Sequence, residues 1–149
     1  MIRNLFQLHH MMMRVGDRMA GPHGLTGSRW MLLCALGRSD EARTIAEISE
    51  EILLSPQNIS RMVASMADDG LVTRNTVPGG GRSVWVGLTE AGWRAYGVTR
   101  ELAAQFLGPF LEGFSESRVD RLDRDIQKLI DNTQRLEQAL IAKAQEAGQ

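Results

Sequence analysis

Two apolar stripes, one near each end, constrain this chain more than any other feature. Leu5, Leu8, Met12, Val15 and Met19 recur at alternating spacings of three and four, which lines them up along one side of a helix. Val119, Leu122, Ile126, Leu129, Leu136 and Leu140 repeat the pattern, with Thr133 in the open slot. The segment between supplies apolar faces of its own. A chain of 149 residues is of single-domain size, and one small core cannot also cover two outer stripes. The sequence therefore predicts a homodimer, with Leu5, Leu8, Met12, Leu122, Ile126, Leu129 and Leu136 in its seam.

The punctuation predicts the remaining elements. The first helix covers residues 2 to about 20 and stops at Gly21-Pro22-His23-Gly24, where glycine suits the C′ position and proline cannot continue. Thr26 caps a second helix to about Gly37, apolar almost all round and therefore central. Arg38 to Arg43 reads as a polar connector. Thr44-Ile45-Ala46-Glu47 has the capping-box form, and Ile45, Ile48 and Ile52 make the inner stripe of that helix. Ser55-Pro56 gives an N-cap followed by proline at the first helical position. Ile59, Val63 and Met66 form the next inner face, and Gly70 ends it. Leu71 to Thr76 and Ser83 to Leu88 form a hairpin, with Val84, Val86 and Leu88 alternating. Thr89 caps a helix to about Phe106 that stops before Gly108-Pro109. Ser115 or Ser117 starts the last helix, to about Ala144. The fold class is mainly α with a small β-hairpin wing: a winged helix-turn-helix with terminal dimerisation helices. Residues 1–149 form one domain, with dimerisation helices at 1–23 and 108–149 around a lobe and connecting helix at 24–107.

The two short capped helices make a helix-turn-helix, in which the start of the second helix meets base edges in the major groove. Its outward positions include Gln57, Asn58, Ser60, Arg61, Ala64 and Ser65, with no carboxylate before Asp68. Gln and Asn pair bidentately with adenine, Arg with guanine. Such a face alone is equally an ordinary solvated one. The hairpin after it favours DNA, because its Gly-rich tip carries Arg82, and arginine suits a narrow minor groove. Net charge is −1, and of the 17 basic residues only Lys128 and Lys143 are lysines. Arginine reads bases and phosphates in a way a lysine point charge does not.

Leu25-Thr26…Trp30…Leu33…Leu36, Ile45-Ala46…Ser55-Pro56-Gln57-Asn58-Ile59-Ser60-Arg61-Met62-Val63, Asp69-Gly70-Leu71-Val72-Thr73-Arg74 and Arg82…Leu88-Thr89-Glu90-Ala91-Gly92 together resemble the MarR family of bacterial transcription regulators. The resemblance covers roughly residues 25–92. It implies a homodimer on double-stranded DNA at a pseudo-palindromic operator, with repression relieved by a small aromatic or phenolic effector. It also implies that the helix from Ser55 reads the major groove and that Arg82 enters the minor groove. The DNA-contacting set is then Ser55, Gln57, Asn58, Ser60, Arg61, Ser65, Arg74 and Arg82. Two features depart from the family pattern. Gly79, Gly80 and Gly81 stand where acidic residues and a further arginine are usual at the wing tip. Leu53 stands where a turn glycine is common.

Other candidates read blandly. Cys34 lies in an apolar helix, where a thiol packs and is inert. One cysteine excludes a disulfide framework. His9-His10 and Met11-Met12-Met13 are adjacent residues that point in different directions, so they do not chelate together; the Met run suits a seam or pocket wall. Arg14 and Arg18 sit one turn apart, ordinarily a solvated face; a cation there that faced a cleft would hold a ligand carboxylate. Trp30, Trp85 and Trp93 are packing residues, one of which could line that cleft. No catalytic motif, cofactor site or metal site is visible, and no segment has the length or polarity of a membrane span or signal peptide. The chain reads as a cytoplasmic, non-enzymatic regulator. The rival is a dimeric protein-interaction adaptor whose lobe binds no DNA; it draws on residues 24–94 holding seven arginines against eight acids.

Overall fold

In a computed structural model, which describes residues 1–76 and 83–147, the elements run α1 (Ile2–Ala20), α2 (Gly27–Leu36), β1 (Arg43–Thr44), α3 (Ile45–Ile52), α4 (Pro56–Asp68), β2 (Val72–Thr76), β3 (Val84–Leu88), α5 (Glu90–Phe110) and α6 (Glu116–Ala147). A 3-10 turn, Gly21–His23, follows α1. The chain divides into two units, Met1–Phe106 and Leu107–Gln149.

Helices begin where their free N–H groups find a side-chain acceptor. The Thr26 hydroxyl accepts from the Arg29 N–H at 3.2 Å and opens α2. At α3 the capping box is complete: the Thr44 N–H donates to the Glu47 carboxylate at 2.7 Å, and the Glu47 N–H donates to the Thr44 hydroxyl at 3.2 Å. The Thr44 backbone donor, then its hydroxyl, hold the Glu47 carboxyl below its ordinary value. The ionised form is thus the one the fold favours. That stabilisation is full above the ordinary carboxylate range and is lost as pH falls through the lowered value. Ser55 opens α4 by accepting from the Asn58 N–H at 3.3 Å. Thr89 opens α5: its hydroxyl accepts from the Gly92 N–H at 3.0 Å and donates to the Gly70 carbonyl at 2.7 Å.

The first unit closes around one core. Leu32, Leu33 and Leu36 of α2 meet Ile48 of α3, Ile59, Val63 and Met66 of α4, and Val72 and Val86 of the sheet, with Ala20, Leu25 and Leu102 joining the same cluster. These are the inner faces that the helical and strand periods pick out. The sheet is antiparallel in the order β1-β3-β2. β2 pairs with β3 from Val72 opposite Leu88 to Thr76 opposite Val84. Gly70, at φ +71°, ends α4 in the left-handed region and turns the chain into β2.

Two expectations are corrected and one is sharpened. The Arg38–Arg43 connector ends in a strand: Arg43 and Thr44 pair with Val86 and Trp85, adding a third strand. A two-residue pairing carries no period in the sequence. The helix expected to stop before Gly108-Pro109 runs to Phe110 and includes Pro109. The proline sits in the last turn, where it removes one hydrogen bond, and Gly108 has no Cβ to clash with its ring. In the turn after α1 the left-handed glycine is Gly24, at φ +71°, while Gly21 is right-handed.

Leu53 sits at φ +54°, the one non-glycine with positive φ among the described residues. Left-handed backbone costs an L-residue about 1–2 kcal/mol, against about 0.5–1 kcal/mol of extra unfolded-state entropy for glycine. The Leu53 side chain is 55% exposed, so little packing offsets the strain. Leu53→Gly is expected to stabilise the fold by about 0.5–1 kcal/mol, measured by urea melting. A loss of stability would mean that the leucine packing outweighs the strain.

Candidate functional site

The α3–α4 pair presents one polar face. Gln57, Asn58, Arg61 and Ser65 are exposed on α4, and Ser60 and Ala64 are half-buried beside them. Ile59, Val63 and Met66 are fully buried behind. The helix period alone produces this split, with every residue that can read a base on one side and every residue that packs on the other. Arg74 is exposed on β2. Ser55 spends a lone pair on the α4 cap. Arg82 and the glycines of the wing tip lie outside the described residues.

A residue that periodicity does not single out fixes the far end of α4. The Arg29 guanidinium donates to the Ser65 hydroxyl at 2.7 Å and pairs with Asp69 at 2.6 Å. Asp69 is the C-cap of α4, where a negative charge opposes the helix dipole. Arg29 offsets that and ties α4 to α2. No short-range spacing in the sequence connects positions 29, 65 and 69. The Ser65 hydroxyl keeps its proton for an outward contact.

A second feature lies in the same unit. α1, α2, α3, α5 and the connector after α2 border an open cavity of about 430 Å³, lined by Met12, Met13, Gly16, Gly27, Trp30, Met31, Cys34, Ala35, Arg38, Glu51, Ile52 and Phe106. Its walls are apolar and sulfur-rich, with one cation and one carboxylate. The volume falls in the lower part of the roughly 300–1,000 Å³ range of small-molecule sites. Of the three tryptophans, Trp30 is the one that lines it. The methionine run supplies Met12 and Met13 as wall. Arg14 and Arg18 are both exposed, the ordinary solvated face of such a pair, and neither is in its lining. Arg38 stands there instead, because α2 ends at Leu36 and turns its first polar residues toward α3. Cys34 is corrected too: it is half-buried and lines the cavity, with its sulfur 3.9 Å from the Thr99 hydroxyl. A helix apolar all round still has one side without a neighbour.

The seam residues are solvent-facing within one chain. Leu5 and Leu8 are exposed on α1 and Met12 is shared with the cavity; Leu122, Ile126, Leu129 and Leu136 are 37–61% exposed on α6. Among the described residues no helix is long and apolar enough to cross a membrane.

A helix-turn-helix followed by a β2–β3 wing hairpin, with β1 completing the sheet from before it and long helices at either end of the sequence, defines a winged helix-turn-helix protein. The sequence profile of the MarR family matches residues 23–83. The HTH-type transcriptional repressor IacR of Pseudomonas putida is 30% identical over 108 residues, 72% of this chain and 64% of its own length. The transcriptional activatory protein BadR of Rhodopseudomonas palustris is 27% identical over 136 residues, 89% of this chain and 78% of its own. CouR from Rhodococcus jostii RHA1, solved with p-coumaroyl-CoA, superposes with a TM-score of 0.75 at 20% identity over 84% of this chain and 87% of its own. The match over residues 23–83 identifies that stretch as a MarR-family domain. The chain spans just under two thirds of the length of IacR.

Proposed function

We propose that the protein is a sequence-specific DNA-binding transcription regulator that acts as a homodimer and releases its operator when a small effector fills the cavity. The observation that carries this reading is the α4 face: Gln57, Asn58 and Arg61 stand exposed in its first two turns, with the apolar side locked into the core. Gln and Asn supply the bidentate pattern for adenine, Arg the pattern for guanine. The N-terminus of α4 adds a partial positive charge toward phosphate. Ser55, Ser60, Ser65, Arg74 and Arg82 complete the proposed contact set.

The dimer is supported by the exposed stripes on α1 and α6, which water does not favour. The effector is supported by the apolar cavity and by CouR, a structural neighbour solved with p-coumaroyl-CoA. Repression is the direction named for IacR, and activation the one named for BadR. We take repression; a promoter fusion that loses expression when the chain is deleted contradicts it.

Base reading is tested by substitution. Gln57→Ala and Asn58→Ala are each expected to lower the preference for operator over scrambled duplex about 5–150-fold, from about 1–3 kcal/mol per bidentate pair. Arg61→Ala is expected to weaken both. Competition binding at fixed salt reads this, and full discrimination in both the Gln57 and Asn58 variants contradicts the assignment. The adaptor reading is favoured by the acidic balance of residues 24–94. It predicts no binding to sheared DNA at low salt, where the regulator binds and loses affinity steeply as salt rises.

A further inference from the structure

Arg38 and Glu51, the two charged residues of the cavity wall, are paired with each other at 3.1 Å. We propose that this pair is an exchangeable anion seat: an aryl carboxylate entering the cavity takes Arg38 from Glu51, and loss of that tie loosens α3. The inference rests on the cavity being the effector site. It adds the group that reads the ligand's charge and the link that carries its arrival toward the DNA-reading helix.

The two arginines on Glu51 are unequal. Arg43 has a side chain only 23% exposed. It also donates to the Ala35 carbonyl at 3.1 Å and to the Glu47 carbonyl at 3.5 Å. Arg38 is 71% exposed, and Glu51 is its partner among the described residues. Glu51 therefore keeps a half-buried, anchored cation when Arg38 leaves. Arg38 exchanges one carboxylate for another, so charge balances on both sides. An exposed ion pair is weak. The same guanidinium facing a carboxylate whose aryl body lies among Trp30, Phe106 and the methionines is less screened and suited to bidentate contact. Thioether sulfurs also pack favourably on aromatic edges. A neutral aryl compound gains the apolar contacts without moving Arg38.

Position makes the exchange consequential. Arg38 follows the end of α2, and Glu51 lies in the last turn of α3, where a carboxylate opposes the helix dipole and needs its cations. Two residues on, Leu53 holds the strained left-handed turn that sets the path into α4. The pair is thus a tie from α2 to the C-terminus of α3, next to the joint of the helix-turn-helix. Releasing it weakens the joint least able to bear it.

The test uses the full chain with 2-naphthoate and its neutral isostere 2-naphthamide, by equilibrium dialysis. The wild type is expected to prefer the carboxylate about tenfold, the size of a charge-assisted contact. Arg38→Gln, at an exposed position, is expected to fold normally and bind both probes alike, with naphthamide affinity unchanged. Glu51→Gln removes the internal competitor and is expected to raise naphthoate affinity about threefold or more, leaving naphthamide unchanged. Hydrogen exchange over residues 45–54 is expected to rise with naphthoate in the wild type, but not with naphthamide or in Arg38→Gln. A carboxylate preference retained in Arg38→Gln overturns the proposal, as does naphthoate binding that leaves α3 exchange unchanged. Naphthamide binding with no preference in the wild type overturns the exchange and leaves the cavity site standing. Binding of neither probe overturns both.

Discussion

Gly92→Ala is expected to remove more than about 3 kcal/mol of stability, the range of backbone clashes that a core cannot absorb. Gly92 is buried in the first turn of α5. A Cβ there would stand 2.0 Å from the Leu71 carbonyl oxygen, and 3.2 Å from both the Leu71 carbonyl carbon and a Leu88 methyl. The first neighbour is backbone and cannot rotate away. It also accepts the Thr89 N–H at 3.1 Å, so moving it breaks the junction that joins α4, the wing sheet and α5. Gly97 lies in the same helix, and a Cβ there would have open space for 4 Å around it. Gly97→Ala is therefore expected to stabilise by about 0.5–1 kcal/mol through helix propensity. Paired urea melts of the two variants check both signs. A Gly92→Ala variant as stable as wild type would mean that α5 does not dock as described.

Leu129→Asp is expected to raise the dimer dissociation constant at least about a hundredfold. Each copy loses about 1.5–3 kcal/mol of apolar burial and adds a charge to the seam, and two-fold symmetry places the change on both sides. Within one chain Leu129 is 40% exposed on α6, where aspartate meets no core. A loss of assembly therefore reads the interface and not the fold of the chain. Sedimentation equilibrium over a concentration series measures it, and a dimer as tight as wild type contradicts the proposed seam.

The fold was legible where local chemistry and periodicity agree. Thr26, Thr44, Ser55 and Thr89 each cap the helix expected of them, and Ile48, Ile59, Val63, Met66 and Val86 are buried as their spacing predicts. It was not legible where contacts are long-range. β1 exists because Arg43 and Thr44 fall beside Val86 and Trp85 in space. Arg29 reaches residues 36 and 40 positions away. The polar face of α4 followed from the helical period. The cavity did not, since its lining comes from four helices, and the charged pair there, Arg38 with Glu51, comes from a connector and a helix end. Arg14 and Arg18 share one face, which reads first as solvated and only conditionally as facing a cleft. Which side of α1 meets α2 is set by packing, and that side leaves both arginines outside.

Selection of bound duplexes from a random pool tests the central claim most directly. A homodimer carrying one α4 per copy should enrich an inverted repeat, with half-site centres about one helical turn, or 10–10.5 base pairs, apart. Gln57→Ala should relax the enrichment at the same position in both halves. Enrichment of a single unrepeated half-site, or of no sequence at low salt, would contradict the account.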